Sequence, residues 1–266
     1  MKRKKIGLAL GAGGYRGLAH VGVIKALEEN NIPIDCLAGS SAGALVGGAY
    51  LALGDIKNLE ELFLKLDFKQ LVSALSDFSI KAGILKGDKA ISFIEGKIGK
   101  HNIEDLPKPF AAVTTNLFSG QTSPIMRGDL AAAIRASGSV PLTFEPITHR
   151  GERYIDGVFS MPVPVSIAKS LGAEKVIAVN LYNHMFPLKK EPEKKDRISM
   201  LEVGKTTHNL LIYNLALNCA RGAEVVIKPK VKNSGGNFRG FVTNKSAIKA
   251  GYLATKRVMK KIKKII

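Results

Sequence analysis

Two strand–glycine–helix units fill the first 53 residues and constrain the fold more than any other feature. Each unit begins with a short apolar run, Lys5–Leu10 in the first and Ile34–Ala38 in the second, and then passes through a cluster of glycines. A helical pattern follows in both cases: apolar residues recur at three-residue steps after Gly17, and Ala42–Leu53 is rich in small side chains. A buried strand followed at once by a helix, twice in succession, predicts a parallel sheet with right-handed crossovers.

The rest of the chain continues to alternate between strands and helices, without an internal repeat or a linker that would divide it. Further buried strands are predicted at Phe110–Thr115, Lys175–Leu181 and Glu224–Lys228. Helices are predicted at 56–76, 128–136 and 199–218, and exposed loops at 184–197 and 231–240. A chain of 266 residues is long enough for a sizeable core, so residues 1–266 are predicted to form a single α/β domain.

The formal net charge of +18 favours anionic partners. Nucleic acid is not an expected partner, because the basic residues are not interleaved with aromatic ones and no nucleic-acid-binding module is recognisable. Two interpretations stay open: a solvated basic surface, or peripheral contact with an anionic membrane. The tail from Ser246 onward carries an apolar stripe opposite its lysines, which suits either a terminal helix docked on the sheet or a helix lying on lipid.

Cysteine usage and the N-terminal residues predict a cytoplasmic protein, membrane-peripheral at most. Cys36 and Cys219 lie in apolar runs without metal-ligand spacing, which predicts buried thiols in a reducing compartment. The start, MKRKKIGLALGAGG, is similar to a secretion signal, but its apolar part is brief, rich in glycine and followed by charged Arg16. Residues 36–54 carry no charge, yet their glycine and serine content favours a buried helix over a membrane span.

The first glycine cluster, GAGGYRG at residues 11–17, is compatible with several chemistries when taken alone. Its backbone N–H groups, at the start of a helix, would stabilise either a phosphate or a developing oxyanion. A dinucleotide site needs G-x-G-x-x-G and an acidic residue after the second strand, but Arg16 takes the third glycine position and Asp35 comes too early. A nucleotide-binding oxidoreductase that uses residues 11–17 is therefore the less favoured alternative.

The second cluster, CLAGSSAGALVGG at residues 36–48, contains G-x-S-x-G between a strand and a helix. This is the context of a nucleophile elbow, in which Gly39 and Gly43 flank the nucleophile because side chains at those positions would collide. The spacing selects Ser41 rather than Ser40 as the nucleophile. The structural alternative is a serine that caps a close-packed helix.

The group that would take the proton of Ser41 is not an obvious histidine. Asp156 is the better candidate, because it ends the apolar run in RYIDGVF, immediately before a sharp Asp-Gly turn. A carboxylate is ionised at neutral pH, and it acts as a base when it is partly desolvated and held against the hydroxyl. A plain Asp-Gly turn between two strands is the structural alternative. None of the five histidines lies in a setting expected for a triad: His20, His101, His149, His184 and His208.

Four blocks in this order resemble the patatin-like phospholipase family, which includes patatin and lipases of the neuropathy-target-esterase type. They are GAGGYRG at 11–17, GSSAG at 39–43, ASGSVP at 136–141 and DGV at 156–158. The resemblance implies a three-layer α/β/α domain with a mostly parallel central sheet. It also implies a serine acyl hydrolase that cleaves carboxylic ester bonds of phospholipids or lysophospholipids with a Ser–Asp dyad, without a cofactor or a metal.

By position, the resemblance assigns Ser41 as the nucleophile and Asp156 as its base. It assigns the oxyanion hole to the backbone N–H groups of Gly13 and Gly14, and it implies that Arg16 orders their loop. The other supporting positions are Gly11, Gly17, Gly39, Gly43 and Gly157. One position departs from the family pattern: Val158 stands where glycine or alanine is usual, and valine lacks the freedom of glycine at positive φ.

Two further interpretations stay open beside a fully active hydrolase. One is a catalytically weak family member that binds lipid surfaces through its basic charge. The other concerns segment 56–98, which either covers a groove for an acyl chain or forms an ordinary helical cap with its own core. The apolar residues of this segment are Leu62, Phe63, Leu66, Phe68, Leu71, Phe78, Ile80, Ile84 and Leu85.

Overall fold

The computed structural model describes residues 3–77, 83–149, 151–186, 198–231 and 245–266, and an eight-stranded sheet lies at its centre. The strands in these ranges are β1 (Ile6–Leu10), β2 (Cys36–Ser40), β3 (Gly83–Leu85), β4 (Phe110–Asn116), β5 (Thr122–Ile125), β6 (Leu142–Phe144), β7 (Ile147–His149), β8 (Glu152–Asp156), β9 (Lys175–Val179) and β10 (Val225–Ile227). Parallel pairing joins β10, β9, β1, β2 and β4 in that order. Antiparallel strands β5, β8 and β7 complete the sheet beyond β4, and β3 pairs separately with β6.

Helices cover both faces of this sheet. Those in the described ranges are α1 (Ala19–Glu28), α2 (Ala42–Leu53), α3 (Ile56–Lys65), α4 (Phe68–Ala74), α5 (Asp88–Ile98), α6 (Leu130–Ser137), α7 (Val165–Ser170), α8 (Met200–Ala220) and α9 (Ser246–Lys263). Short 3-10 turns occur at Gly14–Leu18, Ile103–Asp105 and Gly157–Phe159. Within the described ranges, none of the helices combines the length and the apolar character that crossing a bilayer requires.

Alternate residues of β1 point to opposite faces of the sheet, and each face has its own hydrophobic core. Ile6, Leu8 and Leu10 pack with residues of α1, α2 and α9, whereas Ala9 packs with residues of α7 and α8. All four side chains are fully buried, as expected for a parallel strand covered on both faces. The predicted three-layer α/β/α fold with a mostly parallel sheet is confirmed.

Several element boundaries differ from the prediction, for local reasons. The helix predicted at 56–76 is two helices, because Leu66 has an extended backbone (φ −61°, ψ 124°) and the Asp67 side chain caps α4. The second strand begins at Cys36 and continues to Ser40, slightly later than predicted. Of the predicted loops at 184–197 and 231–240, residues 187–197 and 232–240 lie outside the described residues.

The C-terminal helix α9 uses its apolar stripe to pack against α1. Ile248, Met259 and Ile262 are buried, and a Cβ atom on Gly251 would lie only 1.9 Å from the carbonyl oxygen of Ala19. The stripe is therefore occupied by the body of the protein, as in the docked interpretation of the tail. Both cysteines have free thiols; Cys36 is buried and Cys219 is half-buried.

Candidate active site

Strand β4 aligns the two strands that carry Ser41 and Asp156. The first half of β4 pairs with β2 and the second half pairs with β8, so Val113 faces Ser40 and the adjoining Thr114 faces Asp156. Strand β5 pairs with the middle of β4 and overlaps both of these partners. Because a strand has only two edges, β2 and β8 must share one edge and meet end to end. The residue after β2 is Ser41, and the last residue of β8 is Asp156.

Ser41 and Asp156, called the dyad below, are joined by a short hydrogen bond. The hydroxyl of Ser41 donates to Oδ2 of Asp156 at 2.6 Å, and the N–H of Val158 donates to Oδ1 at 2.8 Å. The Asp156 side chain is fully buried, and burial raises its pKa to about 7, although both hydrogen bonds favour the charged form. A carboxylate of this pKa can take up a proton and return it at neutral pH.

Ser41 lies on a strained turn that presents its hydroxyl to Asp156. Its backbone has φ 54° and ψ −121°, a conformation that is rare for residues other than glycine. A Cβ atom on Gly39 would lie 2.5 Å from the backbone of Ala44, and one on Gly43 would lie 2.1 Å from the carbonyl oxygen of Leu10. The side chain of Ser41 makes no capping hydrogen bond to α2, so a helix cap does not account for it.

The segment ASGSVP holds the backbone of both dyad residues. The Ser137 hydroxyl accepts the N–H of Ser41 at 2.9 Å and donates to the carbonyl of Val113 at 2.6 Å. Two residues later, the carbonyl of Ser139 accepts the N–H of Asp156 at 3.0 Å. The sequence identifies this segment only through a family resemblance, which assigned no role to either serine.

Arg135 holds the segment ASGSVP in place through its buried guanidinium. No role for this residue was predicted from the sequence. Its guanidinium is buried, donates to the hydroxyl of Ser139 at 2.6 Å and to the carbonyl of Lys86 at 2.7 Å, and lies 4.2 Å from the ring centre of Phe144. Burial lowers the pKa of Arg135 to about 10. The available signal is a single arginine in the otherwise apolar helix LAAAIRAS, since such a charge is costly unless it is bonded.

The first glycine loop lies beside Ser41. Gly14 has φ 54° and lines the same cavity as Ser41. Because Gly14 begins a 3-10 turn, its N–H has no acceptor within that turn. The N–H of Gly13 makes no backbone hydrogen bond within the described ranges. Arg16 donates to the carbonyl of Gly13 at 3.1 Å and stacks on the ring of Tyr182 at 4.5 Å, which holds the loop in place.

The other predicted glycines lie where backbone segments touch. A Cβ atom added to Gly11 would lie 2.5 Å from the carbonyl oxygen of Val179. One added to Gly17 would lie 2.4 Å from the Cβ of Ala42, and one added to Gly157 would lie 2.3 Å from the carbonyl oxygen of Val113. Gly17 brings the first glycine loop against the start of α2. Gly157 lies where β8 meets β2 on the edge of β4.

Val158, the departure from the family pattern, is compatible with the observed turn. Residues Gly157–Phe159 form a 3-10 turn, and Val158 is not among the residues with positive φ. Its N–H donates to Asp156, and its side chain is buried among residues of α7 and α8. The position therefore does not need the conformational freedom of glycine.

None of the five histidines, all of which lie in described ranges, bonds to the dyad. The buried His20 places Nε2 at 2.7 Å from the carbonyl oxygen of Gly11, and burial lowers its pKa to about 4, so it is neutral and supports the glycine loop. His208 packs its ring on Phe159, with 5.8 Å between the ring centres. His149 is exposed on the surface, and His101 and His184 bond to backbone carbonyl groups.

An apolar cavity of about 210 Å³ opens on Ser41 between α2 and the helices α3 to α6. Four apolar residues predicted in segment 56–98 line it: Leu62, Phe63, Leu66 and Leu71. Phe68 and Leu85 do not line it, whereas Phe78, Ile80 and the side chain of Ile84 lie outside the described part of the chain. The described part of the segment therefore covers a cavity that begins at the candidate nucleophile.

Comparisons with known proteins match most of the chain to one protein family by sequence. Residues 8–169 match the family model of patatin-like phospholipases. An uncharacterised NTE family protein of Mycobacterium bovis is 38% identical over 177 residues, which are 66% of this chain and 49% of that protein. Lysophospholipase nte1 of Neurospora crassa is 34% identical over 183 residues, 67% of this chain and 12% of that protein. The chain thus spans about half the length of the mycobacterial relative and a small part of the fungal one.

The overall fold is similar to the crystal structure of VipD from Legionella pneumophila. The TM-score is 0.56 at 15% sequence identity, and the match covers 99% of this chain and 67% of VipD. The family match spans more than half of the chain and includes both Ser41 and Asp156. The chain belongs to the patatin-like phospholipase family.

Proposed function

We propose that this chain is a serine acyl hydrolase that cleaves carboxylic ester bonds of phospholipids or lysophospholipids. The observation that carries the proposal is the 2.6 Å hydrogen bond between the Ser41 hydroxyl and the buried Asp156 at the opening of an apolar cavity. Family membership supports a lipid ester as substrate, and the name of the fungal relative, lysophospholipase, supports single-chain lipids. No observation favours nucleotide binding at residues 11–17, a loop that lies entirely within the family match.

The dyad would act in two steps. Ionised Asp156 takes the proton of Ser41 while Oγ attacks the ester carbonyl carbon, and the resulting oxyanion is stabilised by the N–H groups of Gly13 and Gly14. Collapse of the tetrahedral intermediate expels the alcohol, which takes the proton back from Asp156, and leaves an acyl group on Ser41. Water then attacks the acyl group with Asp156 again as the base, which releases the fatty acid and restores both residues.

Product analysis tests the reaction class. We expect the wild-type protein to release free fatty acid from a panel of phospholipids and lysophospholipids, and Ser41→Ala to release none above the buffer blank. Mass spectrometry of both products identifies the bond cleaved and the head group preferred. If wild-type protein hydrolyses no carboxylic ester in the panel, including soluble nitrophenyl esters, the proposed function is wrong.

The cavity sets an expected length for the acyl chain. Its lining runs from Ser41, just before α2, through Leu45 to Ala49, eight residue steps that rise by about 12 Å. An extended chain advances about 1.2 Å per bond, so this length accommodates roughly ten carbons. Longer chains would have to leave the cavity beyond Ala49 or keep their ends outside.

Substitution of Ala49 by leucine should therefore shift the preference toward shorter acyl chains. We expect Ala49→Leu to lower the ratio of decanoate to butyrate ester hydrolysis by about tenfold, because the added atoms shorten the cavity. Ala52→Leu on the same helix, which does not line the cavity, is the matched control. Equal losses for both esters in Ala49→Leu would contradict the placement of the acyl chain.

Ser137 is proposed as a positioning residue for the nucleophile. Ser137→Ala leaves the N–H of Ser41 and the carbonyl of Val113 without their shared partner, so we expect kcat to fall by about tenfold with little change in KM. Ser166→Ala, at an exposed serine on α7, is the control. A purely structural role would lower the melting temperature of Ser137→Ala and leave kcat unchanged.

A further inference from the structure

The N-terminal end of α8 exposes a cluster of large apolar side chains. Residues 198–208 are all exposed, and Ile198, Met200 and Leu201 are 59%, 90% and 81% exposed. Farther along the helix, Ile212 is buried in the core shared with α7. Single exposed apolar residues are common on proteins, but several at the tip of one helix indicate a contact surface.

This tip lies at the same end of the sheet as the dyad. The C-terminal end of α8 leads to Glu224, whose N–H donates to the carbonyl of Val176 near the start of β9. The helix therefore runs toward the amino ends of the parallel strands, and its first turns point to the carboxyl ends, where the dyad lies. His208 packs on Phe159, which follows strand β8 and its dyad residue Asp156. The helical part from Met200 to His208 therefore extends about 12 Å beyond Phe159.

The β4–β5 hairpin forms a second apolar tip at this end. Strand β4 continues three residues past Val113, which faces the last residue of β2, and this adds about 10 Å. Phe118, in the turn that follows, is 79% exposed. Asn116 fixes the turn, since its side-chain oxygen accepts the N–H groups of Phe118 and Ser119.

Leu142 forms a third apolar tip, next to the cavity. It is 83% exposed and has φ 67°, so it combines backbone strain with an apolar side chain in water. Val140, two residues earlier, lines the cavity that opens on Ser41 and is itself 39% exposed. Within the described ranges, packing accounts for neither property of Leu142, and strain of this kind is concentrated at functional sites.

We infer that these three tips form a docking face that seats the opening above the dyad on an anionic lipid surface. The α8 tip and the β4–β5 hairpin rise by similar distances past the dyad, which suits a plane, whereas a helical partner would require a groove. Apolar side chains on such tips enter the interfacial layer of a bilayer, and the net charge of +18 adds attraction to anionic lipid. The inference rests on the proposed function, because a lipid substrate is what gives the face its purpose.

A double substitution at the tip of α8 tests the docking face. Met200→Gln with Leu201→Gln keeps good helix formers and removes the apolar contacts, so we expect binding to vesicles of equal parts phosphatidylcholine and phosphatidylglycerol to weaken about tenfold or more. The matched control is Met126→Gln with Leu253→Gln. These residues are 46% and 44% exposed and lie after β5, at the open end of the hairpin, and on α9. Cosedimentation measures binding, and hydrolysis of soluble nitrophenyl butyrate should be equal in all variants.

Two outcomes would overturn the docking face. One is equal vesicle binding by the α8 double variant and its control. The other is a dimer, seen by light scattering, that forms in the wild type and is lost in the α8 double variant, because the face would then bind a second copy of the chain. Ser41→Ala is expected to bind vesicles like the wild type. A wild-type protein that binds vesicles but hydrolyses no carboxylic ester would contradict the proposed function and leave the docking face standing.

Discussion

Ser41→Ala is expected to abolish labelling by a fluorophosphonate probe and to lower ester turnover by ~10⁴-fold or more. The probe reacts with an activated serine hydroxyl, and the Ser41 hydroxyl is the one held at 2.6 Å from the carboxylate of Asp156. Alanine tolerates the backbone conformation of residue 41 about as well as serine does, so the fold should persist. Labelling followed by gel fluorescence, together with nitrophenyl ester kinetics, measures both effects.

Ser40→Ala is the matched control for this experiment. Ser40 precedes the nucleophile, is fully buried, and its hydroxyl has no hydrogen-bond partner among the described residues. We expect Ser40→Ala to be labelled and to turn over like the wild type, since no bond is lost. If Ser41→Ala is still labelled and still cleaves the ester, the assignment of the nucleophile is wrong. If the wild type binds lipid but is never labelled, the catalytically weak alternative is correct.

Asp156→Asn is expected to lower turnover by about 10³-fold and to remove its dependence on pH. An amide has nearly the same shape as a carboxylate but cannot accept the proton of Ser41. In the wild type, burial raises the pKa of Asp156 to about 7, so kcat/KM should rise with pH up to about 7 and level off above it. A wild-type profile without this acidic limb would contradict the role of Asp156.

A histidine substitution completes this comparison. His208→Ala, which removes the ring that packs on Phe159, should retain turnover, because no histidine bonds to the dyad. His20→Ala is expected to destabilise the glycine loop through the lost bond to Gly11, without shifting the pH profile. A folded but inactive variant at His101, His149, His184 or His208, none of which supports the glycine loop, would support a triad instead.

The same Asp156→Asn substitution should stabilise the protein at neutral and alkaline pH. Between pH 3.8, the ordinary pKa, and about 7, the folded chain holds a proton on Asp156 that the unfolded chain has lost. The free energy of unfolding of the wild type therefore falls as pH rises through this interval, by ~4 kcal/mol in total at 1.36 kcal/mol per unit. Asparagine does not ionise, so the free energy of unfolding of Asp156→Asn, measured in urea, should exceed that of the wild type only slightly at acidic pH and by the full amount above about pH 7. If the free energies of unfolding of the two proteins change with pH in parallel, the raised pKa of the buried Asp156 is contradicted.

The first half of the sheet was predictable because its signals are local. Apolar runs such as Lys5–Leu10 end in clusters of glycine, several of which have no room for a Cβ atom, and the same pattern marks β2 and the turn at Ser41. The strand that ends at Asp156 was predicted from RYIDGVF, but strands β5 to β7 were not predicted individually, because they are short and partly exposed. They depend on pairing with β4, β3 and β8, respectively. The break between α3 and α4 depends on the extended backbone at Leu66, which the apolar periodicity does not reveal.

The candidate site was predictable to a similar degree. G-x-S-x-G selected Ser41 from local spacing, and the turn in RYIDGVF made Asp156 the candidate base. The plain-turn alternative for Asp156 stayed open until the resemblance assigned the dyad, since the two residues are 115 positions apart. The supporting bonds of Ser137 and Arg135 join segments that only the folded chain brings together. The pKa of Asp156 likewise follows from burial, which the dipeptide Asp-Gly does not indicate.

The shared edge of β4 has a consequence for how activity appears during synthesis. Because β2 and β8 are aligned only by their common partner, the distance between Ser41 and Asp156 is undefined until β8 has been made and added to the sheet. Pairing across such long sequence separations is slow and comes after local structure. A nascent or partly folded chain would thus lack the proposed dyad, which would form only once β8 has paired with β4.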